Sequence, residues 1–189
     1  MDYPASRTKD CMITIHNSPD GKTLSVRGVP QSSWPPTKDA YWHMMIPDKK
    51  PDTVLMLGVG GGTIAKMLLE KFPDIKITGV EISQEVVYVA IEHLGLKDVS
   101  MNLIIGDAFD YVFKHNDRYD LIVVDIFDGD NFPLRFLMPK FIRRCQELLN
   151  KGGELYINTP NLDHGMSLII PTRTKEENSG NVVYKYVKD

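Results

Sequence analysis

Thr53-Val54-Leu55-Met56-Leu57-Gly58-Val59-Gly60-Gly61-Gly62-Thr63 is the stretch whose reading decides the fold. Val54 to Leu57 carry no alternating polar residue, so they read as a strand covered on both faces. Gly58, Gly60, Gly61 and Gly62 allow a sharp turn and let a ligand approach with no Cβ in the way. Ile64, Met67, Leu68 and Phe72 then recur at helical spacing. A strand, a glycine turn and a helix in that order point to a nucleotide-type binding site.

Outward from this stretch the elements alternate. Residues 75–81 read as a second strand, entered through Pro73-Asp74. Ser83 is placed to cap a helix over 84–94 that Gly95 ends. A third strand at 101–105 and a helix at 108–115 follow, then a fourth strand at 121–124. A helix over 134–149, ended by Gly152-Gly153, leads to a fifth strand at 155–158. Such alternation requires a largely parallel sheet with helices on both faces. Beyond it, residues 166–170 and 181–187 read as an antiparallel hairpin whose turn is 174–180. Upstream, 12–16 and 23–27 read as a β-hairpin around Asn17-Ser18-Pro19-Asp20-Gly21. Residues 31–36 read as a loop, and 38–46 as a short helix carrying Tyr41, Trp42, Met44 and Met45. The expected division is residues 1–50, the hairpin and a gating helix, and residues 51–189, an α/β ligand-binding domain.

Composition narrows the function classes. The chain has 189 residues, a formal net charge of −3 and a pI of about 5.9, so neither nucleic acid nor an anionic membrane is an expected partner. Cys11 and Cys145 lie far apart and match no disulfide or metal framework. No apolar stretch reaches membrane-spanning length, and the first nine residues lack the core of a signal peptide. The expectation is a cytoplasmic protein. His16, His93, His115 and His164 have no paired ligand spacing, so no metal is expected. Arg143-Arg144 reads as a solvated helix face.

In an open parallel sheet, ligands bind beyond the carboxyl ends of the strands. Here those ends carry the glycine loop, Glu81, Gly106-Asp107, and Asp125 followed by Asp128. The dinucleotide fingerprint wants a glycine where Thr63 stands, and no phosphate-binding lysine follows the loop. The spacing Gly58, Gly60, Gly62 matches instead the loop of S-adenosylmethionine-dependent transferases. Glu81 is placed to accept from both ribose hydroxyls, and Asp107 from an adenine amino group.

Residues 22–189 resemble the spermidine synthase-like (polyamine aminopropyltransferase) branch of the class I S-adenosylmethionine-dependent methyltransferase superfamily. The resemblance rests on Gly28-Val29-Pro30-Gln31, Tyr41 and His43, the glycine loop, Val80-Glu81-Ile82, Gly106-Asp107-Ala108, the run from Tyr119 to Asp128, and Asn181-Val182-Val183. It implies a Rossmann-like fold with an N-terminal hairpin and an antiparallel C-terminal hairpin. It also implies cofactor contacts at Gln31, Gly58, Gly60, Gly61, Gly62, Glu81, Ile82, Asp107, Ala108 and Asp125. Tyr41 and His43 would line the acceptor cavity, and Asp128 would be the catalytic and acceptor-binding aspartate. The implied co-substrate is S-adenosylmethionine or its decarboxylated form, with a small amine as acceptor.

A primary amine arrives protonated at pH 7, so transfer needs a base, and Asp128 could serve as one. Its bland reading is a member of the turn Asp128-Gly129-Asp130-Asn131. Aminopropyltransferases carry an acid where this chain has Gly61; that acid holds the donor's amino group and repels a carboxylate. Its loss keeps methyl transfer open as an alternative, beside a non-catalytic nucleoside-binding homologue. The span 155–170 is short for the helix that helps form the family's amine pocket. The N-terminal hairpin edge is a candidate homodimer contact.

Overall fold

The computed structural model describes residues 3–8, 11–128, 132–160, 174–178 and 180–189, with side chains described from residue 12 onward except at 174–178. An antiparallel sheet opens the chain: β1 (Tyr3–Thr8), β2 (Cys11–Ser18), β3 (Gly21–Val26) and β4 (Val29–Trp34), ordered as in sequence. The expected hairpin is thus the centre of a larger sheet. A 3₁₀ turn, Tyr41–Met45, connects it to the second sheet.

That sheet carries β5 (Thr53–Leu57), α1 (Thr63–Lys71), β6 (Lys76–Glu81), α2 (Gln84–Leu94), β7 (Asn102–Ile105), α3 (Ala108–Lys114) and β8 (Tyr119–Val124). α4 (Pro139–Leu148), β9 (Leu149–Pro160), β10 (Thr174–Asn178) and β11 (Asn181–Val187) complete it. The strand order is β10-β11-β9-β8-β5-β6-β7, with β5 to β9 parallel and β10-β11 antiparallel at one end. From β5 the chain runs outward through β6 and β7, then crosses to β8 and β9. The switch point therefore lies between β5 and β8, where such sheets bind ligands. The α/β fold with its two antiparallel additions is the one expected.

β5 is apolar on both faces because both are covered. Val54 and Met56 pack with Ile64 and Leu68 of α1, Val86 and Ala90 of α2, and Ile13, Ile15, Leu24 and Val26 of the first sheet. Leu55 and Leu57 pack with Val112 of α3, Phe141, Ile142 and Cys145 of α4, and Leu155 of β9. Each such fully buried side chain contributes about 1.5–3 kcal/mol. α2 begins and ends where the sequence places it: Ser83 Oγ accepts from the Val86 amide at 3.1 Å, and Gly95 closes the helix at φ +71°. Burial pushes the Cys145 thiol up, which makes it an inert core residue.

Several expectations are corrected. Residues 31–36 are mostly strand: β4 pairs with β3 despite Pro30, and the ladder passes from Ser25↔Pro30 to Leu24↔Ser32, leaving Gln31 as a bulge. The helix over 134–149 is two pieces, a 3₁₀ turn at Leu134–Leu137 and α4, because Pro139 cannot continue a preceding helix and suits a first turn. Gly152-Gly153 does not end α4 but lies within β9. A Cβ at Gly153 would stand 2.9 Å from Asn150 O. The expected turn at 174–180 is largely β10, in register with β11; residues 166–170 and His164 lie outside the described residues. Arg144 is no solvated residue: Nε donates to Val112 O at 2.8 Å, and Nη2 to His115 O at 2.8 Å and Asn116 Oδ1 at 2.7 Å. It satisfies carbonyls at the end of α3.

Candidate functional site

A cavity of about 360 Å³ lies at the carboxyl ends of β5, β6 and β8 and is roofed by β4 and the 3₁₀ turn. That size suits a small-molecule site. Of the expected residues, Gln31, Tyr41, Gly58, Gly60, Glu81, Ile82, Asp107, Ala108, Asp125 and Asp128 line it. Three do not. His43 is exposed, with Nε2 3.0 Å from Thr37 O, because the 3₁₀ turn aims Tyr41 and Trp42 inward and His43 outward. Gly61 and Gly62 sit behind the loop. Gly62 caps α1 at φ +81°, and the Gly61 amide donates to Ser32 Oγ at 2.6 Å.

The glycine loop is fixed from three sides. A Cβ at Gly58 would stand 2.1 Å from Asp125 O, so only glycine lets β5 pass β8 here. Glu81 Oε2 accepts from the amides of Val59 at 3.0 Å and Gly60 at 2.9 Å, and Oε1 accepts from Ser83 N at 3.0 Å. A carboxylate offers about four acceptor positions. Glu81 thus holds the loop and keeps one position for a further donor. On the third side, a Cβ at Gly61 would stand 2.6 Å from the Cβ of buried Ser32.

Across the cavity Asp125 is half-buried. It accepts from Tyr41 Oη at 3.1 and 3.0 Å and from Asn158 Nδ2 at 2.8 Å. Burial pushes its carboxyl up to about 6, against the lowering pull of the hydrogen bonds from Asn158 and Tyr41. Burial and the adjacent Asp125 also hold the Tyr41 phenol well above its usual value, so it stays a donor. Asn158 is fully buried, and its Oδ1 lacks a hydrogen-bond partner among the described residues.

The rim is charged. Asp107 Oδ1 caps α3 through the Phe109 amide at 2.8 Å, while Oδ2 accepts from Arg135 Nη2 at 2.8 Å. The Arg135 guanidinium lies over the Phe136 ring at 4.9 Å. Asp128 is exposed and paired with Arg27 Nη2 at 2.9 Å. Ile82, 64% exposed, offers an apolar surface inside this polar ring.

Sequence reasoning missed Ser32, Asn158, Arg27 and Arg135. Asn158 stands near the end of a strand, as the acids do, so extending the strand-end search to β9 would have found it. Nothing local signals Arg27 or Arg135, which reach the site from elements distant in sequence.

Comparison with known proteins agrees with this geometry. Residues 48–186 match the family of the methyltransferase domain, and the chain belongs to that family. Curated relatives that it resembles are polyamine aminopropyltransferases. The chain is 31% identical over 119 residues to a probable polyamine aminopropyl transferase of Bifidobacterium longum, covering 62% of this chain and 26% of that protein. It is 30% identical over 175 residues to a polyamine aminopropyltransferase of Desulforudis audaxviator, covering 84% of this chain and 61% of that one. The chain therefore spans from about a quarter to about three-fifths of the length of these relatives. A spermidine synthase solved with a transition-state analogue shares the fold: the TM-score is 0.79 at 20% identity, over 97% of this chain and 72% of that one.

Proposed function

We propose that the chain is a transferase that moves an aminopropyl group from decarboxylated S-adenosylmethionine to a small amine. The observation that carries this reading is Asp125, a cavity-wall carboxylate whose proton affinity suits a base near neutral pH, held by two neutral donors. The names of the relatives supply the reaction class.

The residues fit such a donor. Gly58 and Gly60 present backbone without Cβ atoms, Glu81 keeps an acceptor position for a ribose hydroxyl, and Ile82 offers a surface for an adenine ring. Accepting from both ribose hydroxyls would require Glu81 to release one loop amide. When bound, the donor supplies a carbon whose bond to the sulfonium breaks, with the electron pair going to sulfur, as the amine nitrogen attacks. The protein aligns that amine and takes its proton. Asp125 Oδ accepts the proton, while Tyr41 and Asn158 hold the carboxylate in one orientation. The sequence alone points to Asp128 as the base. Exposure and pairing with Arg27 leave Asp128 a rim carboxylate and suit it less to the role of base.

A second reading, methyl transfer from S-adenosylmethionine, is favoured by Gly61. No acid stands in the loop to repel a carboxylate, and Ser32 fills the neighbouring space. Calorimetry with the two donors decides between them: tighter binding of the decarboxylated form supports aminopropyl transfer, and tighter binding of S-adenosylmethionine supports methyl transfer. Asp125→Asn should keep donor binding and lose turnover. If the protein binds neither nucleoside, both readings fall. Any homodimer would use the outer strand β1, which light scattering in solution checks.

A further inference from the structure

Arg27 occupies an expensive position. It forms, with Gly28, the two-residue turn between β3 and β4, where Val26 pairs with Val29. Both turn residues have left-handed backbone, φ +50° at Arg27 and +81° at Gly28. Such turns favour asparagine, aspartate or glycine at the first position, and a side chain as large as arginine is uncommon there. The Arg27 amide is anchored to Met12 O at 2.8 Å. The guanidinium then crosses 101 positions of sequence to reach Asp128 Oδ1 at 2.9 Å. The neighbouring Val26 and the partner Asp128 both line the cavity.

The other acids of the site are engaged differently. Glu81 is held by backbone amides, Asp125 by the neutral donors Tyr41 and Asn158, and Asp107 by Arg135 and a backbone amide. Of the carboxylates on the wall, Asp128 is the exposed one, open to an arriving cation, and Arg27 already pairs with it. We propose that Arg27 is a specificity-determining residue that neutralises the rim carboxylate, so that the site takes an amine whose far end carries no positive charge and disfavours a diamine. This inference rests on the aminopropyl-transfer reading and sharpens its acceptor class.

The physical basis is competition. A diamine of moderate length has two ammonium groups before reaction, one to surrender its proton at Asp125 and one to be matched elsewhere. With Arg27 in place the second charge meets a neutralised carboxylate and a nearby guanidinium, and like charges at such range repel. A monoamine with a neutral tail loses nothing. Both partners are partly exposed, so the discrimination should weaken as salt is raised.

The test is calorimetry on the full chain loaded with 5′-methylthioadenosine, titrated with 1,4-diaminobutane and with butylamine at low salt. The variants are Arg27→Asn, whose residue suits the left-handed turn, and Arg27→Lys, which keeps the charge. Arg27→Asn should bind the diamine about tenfold more tightly and butylamine unchanged, and Arg27→Lys should behave like the parent protein. At 0.5 M salt the difference between parent and Arg27→Asn should shrink. Equal diamine affinity in the parent and Arg27→Asn overturns the proposal, as does failure of the loaded variant to bind either amine. That second outcome leaves the donor site standing, whereas failure to bind 5′-methylthioadenosine overturns the parent reading as well. Thermal unfolding of Arg27→Asn at or above the parent temperature shows that the turn is intact.

Discussion

The raised proton affinity of Asp125 bears on stability and, on the proposed reading, on activity. Its carboxyl is raised from 3.8 to about 6, so between those values the folded chain binds more protons than the unfolded chain. Stability therefore falls as pH rises from about 4 to about 6, and the cost is fully present above that. Asp125→Asn removes the charge, so the variant should be more stable than the parent at pH 7.5 by up to about 3 kcal/mol, with the gain gone below pH 4; urea unfolding at the two pH values checks this. Activity carries the opposite requirement on the proposed reading, since there Asp125 acts as a base and must be ionised. The acceptor kcat/KM should rise with pH and level off near the Asp125 value. Tyr41→Phe removes a hydrogen bond that lowers that value, so the rising limb should move to higher pH in a pH–rate profile. The strand-end acids were legible because the ends of parallel strands are legible. How Asp107, Asp125 and Asp128 divide the work was not, because it depends on the partners Arg135, Asn158 and Arg27, which come from elsewhere in the chain.

At the scale of elements, the glycine loop and β4 are one unit. Ser32 Oγ receives the Gly61 amide, Thr63 Oγ1 donates to Ser33 O at 2.9 Å, and Ser33 N donates to Thr63 Oγ1 at 3.1 Å. Restoring an acid to the loop should therefore be costly. Gly61→Asp should destabilise by about 1–3 kcal/mol through overpacking against Ser32, and Ser32→Gly in the same chain should recover much of that. A double-mutant cycle by denaturant unfolding measures the coupling, and strict additivity would mean that the two positions do not press on each other. The two-sided apolar strands and well-capped α2 could be read directly from sequence. β4 could not, because Pro30 and two serines hide a strand whose pairing is set by β3. The break before α4 was readable in Pro139, but the apolar spacing on either side of it suggests one helix.

For the whole molecule, the first sheet is no appendage. Ile13, Ile15, Leu24 and Val26 share a continuous core with Val86, Val89 and Ala90 of α2, and the same segment delivers Gln31 and Tyr41 to the cavity. A fragment of residues 51–189 should expose this face, bind a hydrophobic dye and fail to bind nucleoside. A monomeric fragment with a sharp thermal transition would show that the two sheets fold independently. The overall α/β layout follows from alternating patterns along the chain. The roof of the site did not, because the alternation of Ile13 with Ile15 and of Leu24 with Val26 marks an apolar face without saying which helix covers it.

The bulge at Gln31 shows that this site is written partly in chain length. Every ladder pair of β4 on either side of it is made without that residue. Deleting Gln31 alone should leave a regular hairpin and a folded protein, yet withdraw one polar side chain from the cavity. Circular dichroism should be unchanged while donor affinity falls. One codon's worth of backbone, rather than the chemical kind of any neighbour, separates a plain edge strand from one that reaches into the cavity.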